Sequence, residues 1–462
     1  MAKITFLGAA QTVTGSKHLL SLTGHRVMVD CGLYQGLKPL RMRNWEPFPL
    51  PPDSIDAIVL THAHIDHCGF LPRLALQGFR GKVFATPATC DITKIMLPDS
   101  GRLQEEEARY ANKEGVTKHS PALPLYTEED AKRCLALLSP VPYDRPFLPF
   151  AGLELAFREA GHILGSAMVE ARFTEEGKAT TVVFSGDLGR LSAPILRDPA
   201  TIKEADFLVL ESTYGDRLHT DIDRKQALAG AIVNTLKRRG VVLIPSFAVE
   251  RTQELLYILH ILKAHRDIPN VPVYVDSPMA VSVTKIFSRY RDLYDSEANE
   301  LIKAGEDIMG ATTIKFCQSV EESKKLNSLQ GPMIILSASG MATGGRILHH
   351  LKTRLGDARN TVLLVGYQAV GTRGRRLQEG EKSIKIFGEK VDVKAEVASI
   401  DGFSSHADYG EIMSWLSGFT RAPKKVFLVH GEEASLEGLK KTITEKLGWE
   451  VHVPAYQEEV AL

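Results

Sequence analysis

Short runs of alternating apolar and polar residues open the chain at 3–7, 18–22, 26–30 and 57–60, separated by Gly and Pro turns. Alternation at a period of two marks strands, so a sheet is expected to form early. Over 99–115 and 127–138 the apolar positions take helical spacing. In the second stretch Thr127 precedes Glu128, Glu129 and Asp130, an N-cap followed by an acidic first turn. Strands are expected again at 153–159, 167–173 and 180–184. From residue 207 the rhythm becomes strict strand–helix alternation. Strands are read at 207–210, 241–245, 271–275, 333–337 and 361–365, and helices at 224–239, 250–264 and 346–354, with a helical stretch within 283–304. Such alternation predicts parallel βαβ units. The final stretch reads as strand 397–400, helix 408–416, strand 426–429 and helix 436–447. No internal repeat or low-complexity linker interrupts this order, so the middle block is read as an insertion into the first domain.

Composition changes the picture little but excludes several classes. With 462 residues, 44% of them hydrophobic, the chain buries a substantial core, and length alone suggests about three domains. The 56 Lys and Arg balance the 56 Asp and Glu, so this is not a chain coated in positive charge, and any polyanion site must be local. Cys31, Cys68, Cys90, Cys134 and Cys317 are odd in number and lack a C-x-x-C pair, which fits free thiols in a reducing compartment. The N-terminus runs straight into strand-like alternation, and no run of about 18 apolar residues occurs. A cytoplasmic protein without membrane contact is expected.

The chemistry concentrates in Thr61-His62-Ala63-His64-Ile65-Asp66-His67-Cys68-Gly69, directly behind the apolar strand at 57–60. Three imidazoles and a carboxylate on a loop that follows a buried strand form a set of N and O ligands of the kind zinc prefers. Further ligands are sought in Gly161-His162-Ile163-Leu164-Gly165 and Ser185-Gly186-Asp187-Leu188-Gly189, which end or follow strands. Taken alone, each of these reads more readily as a structural turn, and their order after the first motif is what raises them.

In this order His62, His64, Asp66, His67, His162 and Asp187 resemble the H-x-H-x-D-H signature and following ligands of the metallo-β-lactamase superfamily. The segment ending in Asp30-Cys31-Gly32 resembles its first motif. The resemblance implies an α/β fold, an αββα sandwich with two Zn2+ ions at one edge. His62, His64 and His162 would hold one ion, Asp66 and His67 the other, and Asp187 both; Asp30 would orient ligands from behind. Three later segments, around Glu211, His406 and His430, resemble motifs A, B and C of the β-CASP nucleases, whose inserted parallel α/β domain the middle block then represents. Domains are accordingly expected at 1–208 and 397–462, forming the split metallo-β-lactamase domain, and at 209–396, forming the β-CASP insertion. Histidine at motif C follows the RNA-processing members, and His430 would complete the second zinc shell.

The resemblance thus implies a ribonuclease acting on single-stranded RNA, mainly as an endonuclease with 5′-to-3′ exonuclease activity in reserve, and leaving 5′-phosphate and 3′-hydroxyl ends. Two-metal sites of this kind clamp the attacking and leaving oxygens of an in-line displacement. Asp66 would accept the nucleophile's proton. His406 would bind the scissile phosphate or protonate the leaving oxygen, with Glu211 orienting it. Candidate contacts to RNA phosphates are Gly340, Thr343, Gly344 and Arg346, Arg373, Arg375 and Arg376 on a glycine-rich turn, and Ser404 and Ser405 beside His406. The arginine run reads equally as a solvated basic turn ahead of Glu379 and Glu381. The inserted domain is expected to wall the cleft. The chain ends soon after motif C, which is read as leaving out the large C-terminal domain of some relatives, and a homo-oligomer stays open. The rival readings are a small-molecule metallo-hydrolase and an RNA-binding scaffold subunit. Six of the fifteen histidines fall in the motifs; the other nine, His18 and His350 among them, are taken as surface or satisfied core residues.

Overall fold

A computed structural model of the chain describes residues 2–115, 119–175, 177–220, 222–310, 314–369 and 371–462. Its chain contacts divide it into two compact units, Met1–Leu218 with Ser405–Leu462, and His219–Ser404.

The first unit holds two seven-stranded sheets. In one, Glu459–Ala461, Lys3–Phe6, His18–Leu22 and His25–Val29 pair antiparallel, and Ala57–Val59, Lys82–Ala85 and Leu138–Pro140 continue in parallel. In the other, Phe147–Phe150, Leu153–Glu159, Ala167–Glu175 and Lys178–Phe184 run antiparallel, and Phe207–Glu211, Lys425–Val429 and Val451–His452 extend them in parallel. Because successive side chains point to opposite faces, each sheet buries one set of residues against the other sheet and the second set against helices. Phe6, Val27, Val29, Phe157, Val169, Phe184 and Phe427 meet between the sheets. Met28, Ile58 and Val83 pack on Leu71, Leu74 and Leu97 on one outer face, and Leu208, Leu210 and Leu428 pack on Ile412, Leu436 and Leu439 on the other. This is the expected αββα sandwich.

The second unit is a six-stranded, wholly parallel sheet in the order Ile314–Phe316, Val273–Asp276, Met333–Ser337, Val241–Pro245, Thr361–Val365, Glu396–Ile400. Every residue of its four inner strands, Val273–Asp276, Met333–Ser337, Val241–Pro245 and Thr361–Val365, is buried, as helices on both faces require.

Several elements differ from expectation. The helix placed at 99–115 begins earlier and runs Pro87–Glu114, because the Thr86 hydroxyl accepts the Thr89 amide and Pro87 fits the first turn. The helix at 127–138 is Glu128–Cys134, started by the Thr127–Asp130 capping box. Two expected domain boundaries shift. Phe207–Glu211 lies in the first unit's sheet between Lys178–Phe184 and Lys425–Val429, whereas Glu396–Ile400 pairs with Thr361–Val365 in the second unit. An apolar run declares a strand but not its partner, and partner choice sets the boundary.

Candidate active site

The sheets of the first unit deliver the motif residues to one edge, since each follows or ends a strand. Asp30 follows His25–Val29, the 61–64 loop and the short helix Ile65–Cys68 follow Ala57–Val59, His162 follows Leu153–Glu159, Asp187 follows Lys178–Phe184, Glu211 closes Phe207–Glu211, and His430 follows Lys425–Val429. Asp30 and His430 both take left-handed backbone angles, φ 64° and 54°, a cost tolerated where surrounding structure fixes a functional turn. Gly32 is required there, because a Cβ would sit 1.5 Å from the Asp66 carbonyl oxygen.

Two groups of donors converge. In the first, His64 Nδ1 lies 3.0 Å from His62 Nε2 and 3.2 Å from His162 Nε2, and Asp187 Oδ2 is 3.5 and 3.6 Å from the same two Nε2 atoms. In the second, His67 Nε2 and His430 Nε2 are 3.2 Å apart, and Asp66 Oδ2 is 3.5 Å from His430 Nε2. Asp187 joins them, its Oδ1 being 3.3 Å from His67 Nε2.

The outer ring nitrogens assign the tautomers. His162 Nδ1 faces the Ser405 carbonyl oxygen at 3.2 Å and His67 Nδ1 faces Asp30 Oδ2 at 2.8 Å. Both partners only accept, so each Nδ1 donates; in His162 the inward Nε2 then carries a lone pair, whereas against the effect of burial Asp187 and Asp30 hold His67 well above the ordinary histidine range, a proton that a bound cation would replace. Thr61 Oγ1 meets both Asp30 and His62 Nδ1, and Thr213 Oγ1 meets His430 Nδ1 at 3.0 Å. Burial, reinforced by neighbouring imidazoles, holds His62 and His162 well below the ordinary histidine range, and burial brings His64 down to about 4. Burial alone would raise Asp187, but His430, His67 and His62 hold it well below the usual carboxylate range. Asp187 Oδ1 is nonetheless buried and accepts no aligned hydrogen bond. Ring nitrogens converging on a buried carboxylate oxygen that accepts no aligned hydrogen bond are what a bound metal ion satisfies, so this donor set fits one.

His406 stands beside both groups. Its Nδ1 donates to Glu211 Oε1 at 3.1 Å, and Asp187 Oδ2 is 3.9 Å away. Glu211 is fully buried and is itself fixed by the Leu188 amide at 2.8 Å and the Thr213 amide at 3.1 Å. Burial would lower His406, but Glu211 first, then Asp187 and Asp66, raise it to about 9. Glu211 thus favours the protonated ring.

The remaining sequence candidates are engaged within the chain. Arg373, Arg375 and Arg376 do not form a loose turn but the helix Arg373–Gln378, started by Thr372 Oγ1 accepting the Arg375 amide. Arg375 pairs with Glu379, Arg376 with Glu381, and Arg373 donates to the carbonyls of Lys385 and Thr343. Arg346 pairs with Asp276 at 2.7 Å and donates to the carbonyls of Cys317 and Gln318. The amides of Thr343 and Gly344 face Ser339 Oγ, Gly340 receives Gln368 Nε2 on its carbonyl, and the following helix, Ile347–Arg354, starts after them. In each case local carboxylates and carbonyls take the donors, and a grip on an RNA phosphate would have to displace them. Ser404 closes the second unit, and Ser405 contributes the carbonyl that orients His162. Sequence reasoning missed the orienting hydroxyls of Thr61 and Thr213, although each sits inside a motif. It also missed Lys17, a buried ammonium bonded to the Gly15 and Gly32 carbonyls at 3.2 and 2.5 Å.

Comparison with known proteins agrees with this geometry. The chain matches the family models described as Beta-lactamase superfamily domain over 25–244, Beta-Casp domain over 252–377 and Zn-dependent metallo-hydrolase RNA specificity domain over 390–454. It is 40% identical to ribonuclease TTHA0252 of Thermus thermophilus over 99% of both chains. It is 31% identical to transcription termination factor FttA of Methanocaldococcus jannaschii over 98% of this chain and 70% of that protein. The crystal structure of an Enterococcus faecalis V583 protein of unknown function aligns over the whole of both chains with a TM-score of 0.55 at 12% identity, a likeness of fold. A sandwich edge carrying this histidine and aspartate set, with full-length similarity to such a relative, places the chain in the β-CASP family of the metallo-β-lactamase superfamily.

Proposed function

We propose that this protein is a zinc-dependent ribonuclease that hydrolyses phosphodiester bonds of single-stranded RNA. The observation that carries the reading is the pair of donor groups sharing Asp187, with His406, held by Glu211 and needed by neither group, beside them. His62, His64 and His162 would hold one zinc ion, Asp66, His67 and His430 a second, and Asp187 both. When bound, the pair supplies an activated water and neutralises charge on the phosphate. Asp66, kept ionised by His430 and His67 against the effect of burial, accepts the proton of the attacking water. Glu211 holds His406 Nδ1, which leaves Nε2 to give its proton to the departing 3′ oxygen. The attacking oxygen stays on phosphorus as the phosphorus–O3′ bond breaks, giving 5′-phosphate and 3′-hydroxyl ends. Ribonuclease TTHA0252, similar over its full length, supports RNA as the substrate.

RNAs labelled at either end and carrying a 5′-phosphate or a 5′-hydroxyl test the reading. Internal fragments independent of the 5′ group are expected, marking an endonuclease. Single nucleotides that require a 5′-phosphate would make exonuclease the main mode, and intact RNA would overturn the proposal.

A further inference from the structure

Past the buried residues 31–34, the segment 35–47 leaves every side chain but Asn44 at least partly exposed. Its helix, Lys38–Met42, contains no buried residue, and around it Leu37 is 71%, Met42 44% and Trp45 46% exposed. Apolar groups held in water at this density mark a surface that meets something else. The segment is not slack. Tyr34 and Asn44 exchange hydrogen bonds at 2.9 and 2.8 Å across its base, and Arg43 is packed between the rings of Tyr34 and Tyr456. Arg73 lies over the Trp45 ring at 5.9 Å and stiffens it. The root of the loop is bonded to the helix that carries Asp66 and His67: Leu33 N donates to Ile65 O at 3.0 Å and Cys31 N to His67 O at 2.7 Å. Whatever the loop binds is therefore held in register with the candidate active site.

Charge identifies the occupant. Lys38 and Arg41 are exposed, and among the described residues no carboxylate pairs with either. A half-exposed indole on a segment that also carries two exposed cations offers what a single strand needs, a face for a base and charges for its phosphates. In a chain whose formal net charge is zero, such a cluster is a local feature.

We propose that the loop Leu37–Trp45 is an RNA-tracking arm, with Trp45 stacking on a base and Lys38 and Arg41 holding phosphates of the strand flanking the cleaved bond. The inference rests on the ribonuclease reading. It is tested with the zinc-loaded enzyme by comparing kcat/KM for an unstructured RNA of about 20 nucleotides with that for a dinucleotide too short to reach the arm. In Trp45→Ala the ratio of the two is expected to fall about tenfold, and Trp45→Phe, which keeps a stacking face, restores most of it. In Lys38→Ala with Arg41→Ala, the slope of log kcat/KM for the long RNA against log salt is expected to flatten by about 1.4, the share of two phosphate contacts on a single strand. An unchanged ratio and slope in variants that cleave RNA would overturn the arm alone and leave the loop as a protein-docking surface. Equal loss on both substrates would make Trp45 a structural residue and also overturn it. A wild-type enzyme that cleaves neither substrate would instead overturn the ribonuclease reading.

Discussion

His162 and His406 lie with ring centroids 4.5 Å apart, yet their surroundings shift them in opposite directions. His162 donates from Nδ1 to a carbonyl and is pushed well down by burial, leaving a lone pair for a metal; His406 faces the Glu211 carboxylate and is raised to about 9. Replacing His406 by Ala is expected to leave the metal content of the purified protein unchanged and to lower RNA cleavage about a hundredfold or more. Elemental analysis beside initial rates checks this, and loss of metal together with activity would make His406 a ligand instead. Lys17 illustrates a residue that supports the site from behind. Its ammonium is buried over the Tyr34 and Phe70 rings and clamps Gly15 and Gly32, and Gly32 presses on the Asp66 backbone. Burial lowers it to about 8 from 10.5. Between those values the unfolded chain holds more protons than the folded one, so the contribution of Lys17 to stability grows as pH rises through this window. Lys17→Met leaves the two carbonyls without their donor and is expected to cost about 2 kcal/mol at neutrality. Urea titrations at pH 7 and pH 10 are expected to show the gap to wild type widening at the higher pH, and a constant gap would contradict the burial argument.

At the scale of elements, alternation reveals where strands lie because one or both faces must be buried, as in Leu153–Glu159 and Val241–Pro245. The short strands Phe147–Phe150 and Glu459–Ala461 and the hairpin Ser383–Ile386 with Glu389–Asp392 escape notice because they bury few side chains and are defined by their partners. The clustering of the motif residues was legible because ligand chemistry demands particular residue types at fixed spacing; the partners of the surface arginines were not, because charge alone does not say what neutralises it. Gly371-Thr372-Arg373-Gly374 reads as a turn, but Thr372 caps a helix, and a Cβ at Gly374 would push the Gln368 amide aside and come 3.0 Å from the Met341 carbonyl oxygen. The helix then places Arg375 one turn from Glu379, a pairing of nearest neighbours on one face. Exposed pairs of this kind contribute little, so Arg375→Ala with Arg376→Ala is expected to leave the urea unfolding midpoint close to that of wild type. The salt dependence of RNA cleavage is expected to stay as in wild type. A flattened slope in this variant would show that RNA displaces Glu379 and Glu381.

At the scale of the whole molecule, the candidate metal site draws on segments from His62 to His430, and nothing local in sequence holds them together. The two sheets can do so without an ion, because their cores between and outside the layers are apolar and closed. The price is a set of ring nitrogens and carboxylate oxygens 3.0–3.6 Å apart at the sheet edge, with Asp187 Oδ1 lacking an aligned hydrogen bond. Metal binding to the folded chain removes this strain, and ligands that bind only the folded state raise its stability by mass action. It follows that chelation lowers the melting temperature and abolishes cleavage while leaving the far-ultraviolet circular dichroism of the sheets and helices in place. Two zinc ions per chain are expected by elemental analysis, with activity returning as the second is restored. Full activity at one ion per chain would remove either the His62, His64 and His162 group or the Asp66, His67 and His430 group from the mechanism. Individual His64→Ala and His430→Ala variants then tell which group is dispensable, since only the variant in the working group loses both its ion and its turnover.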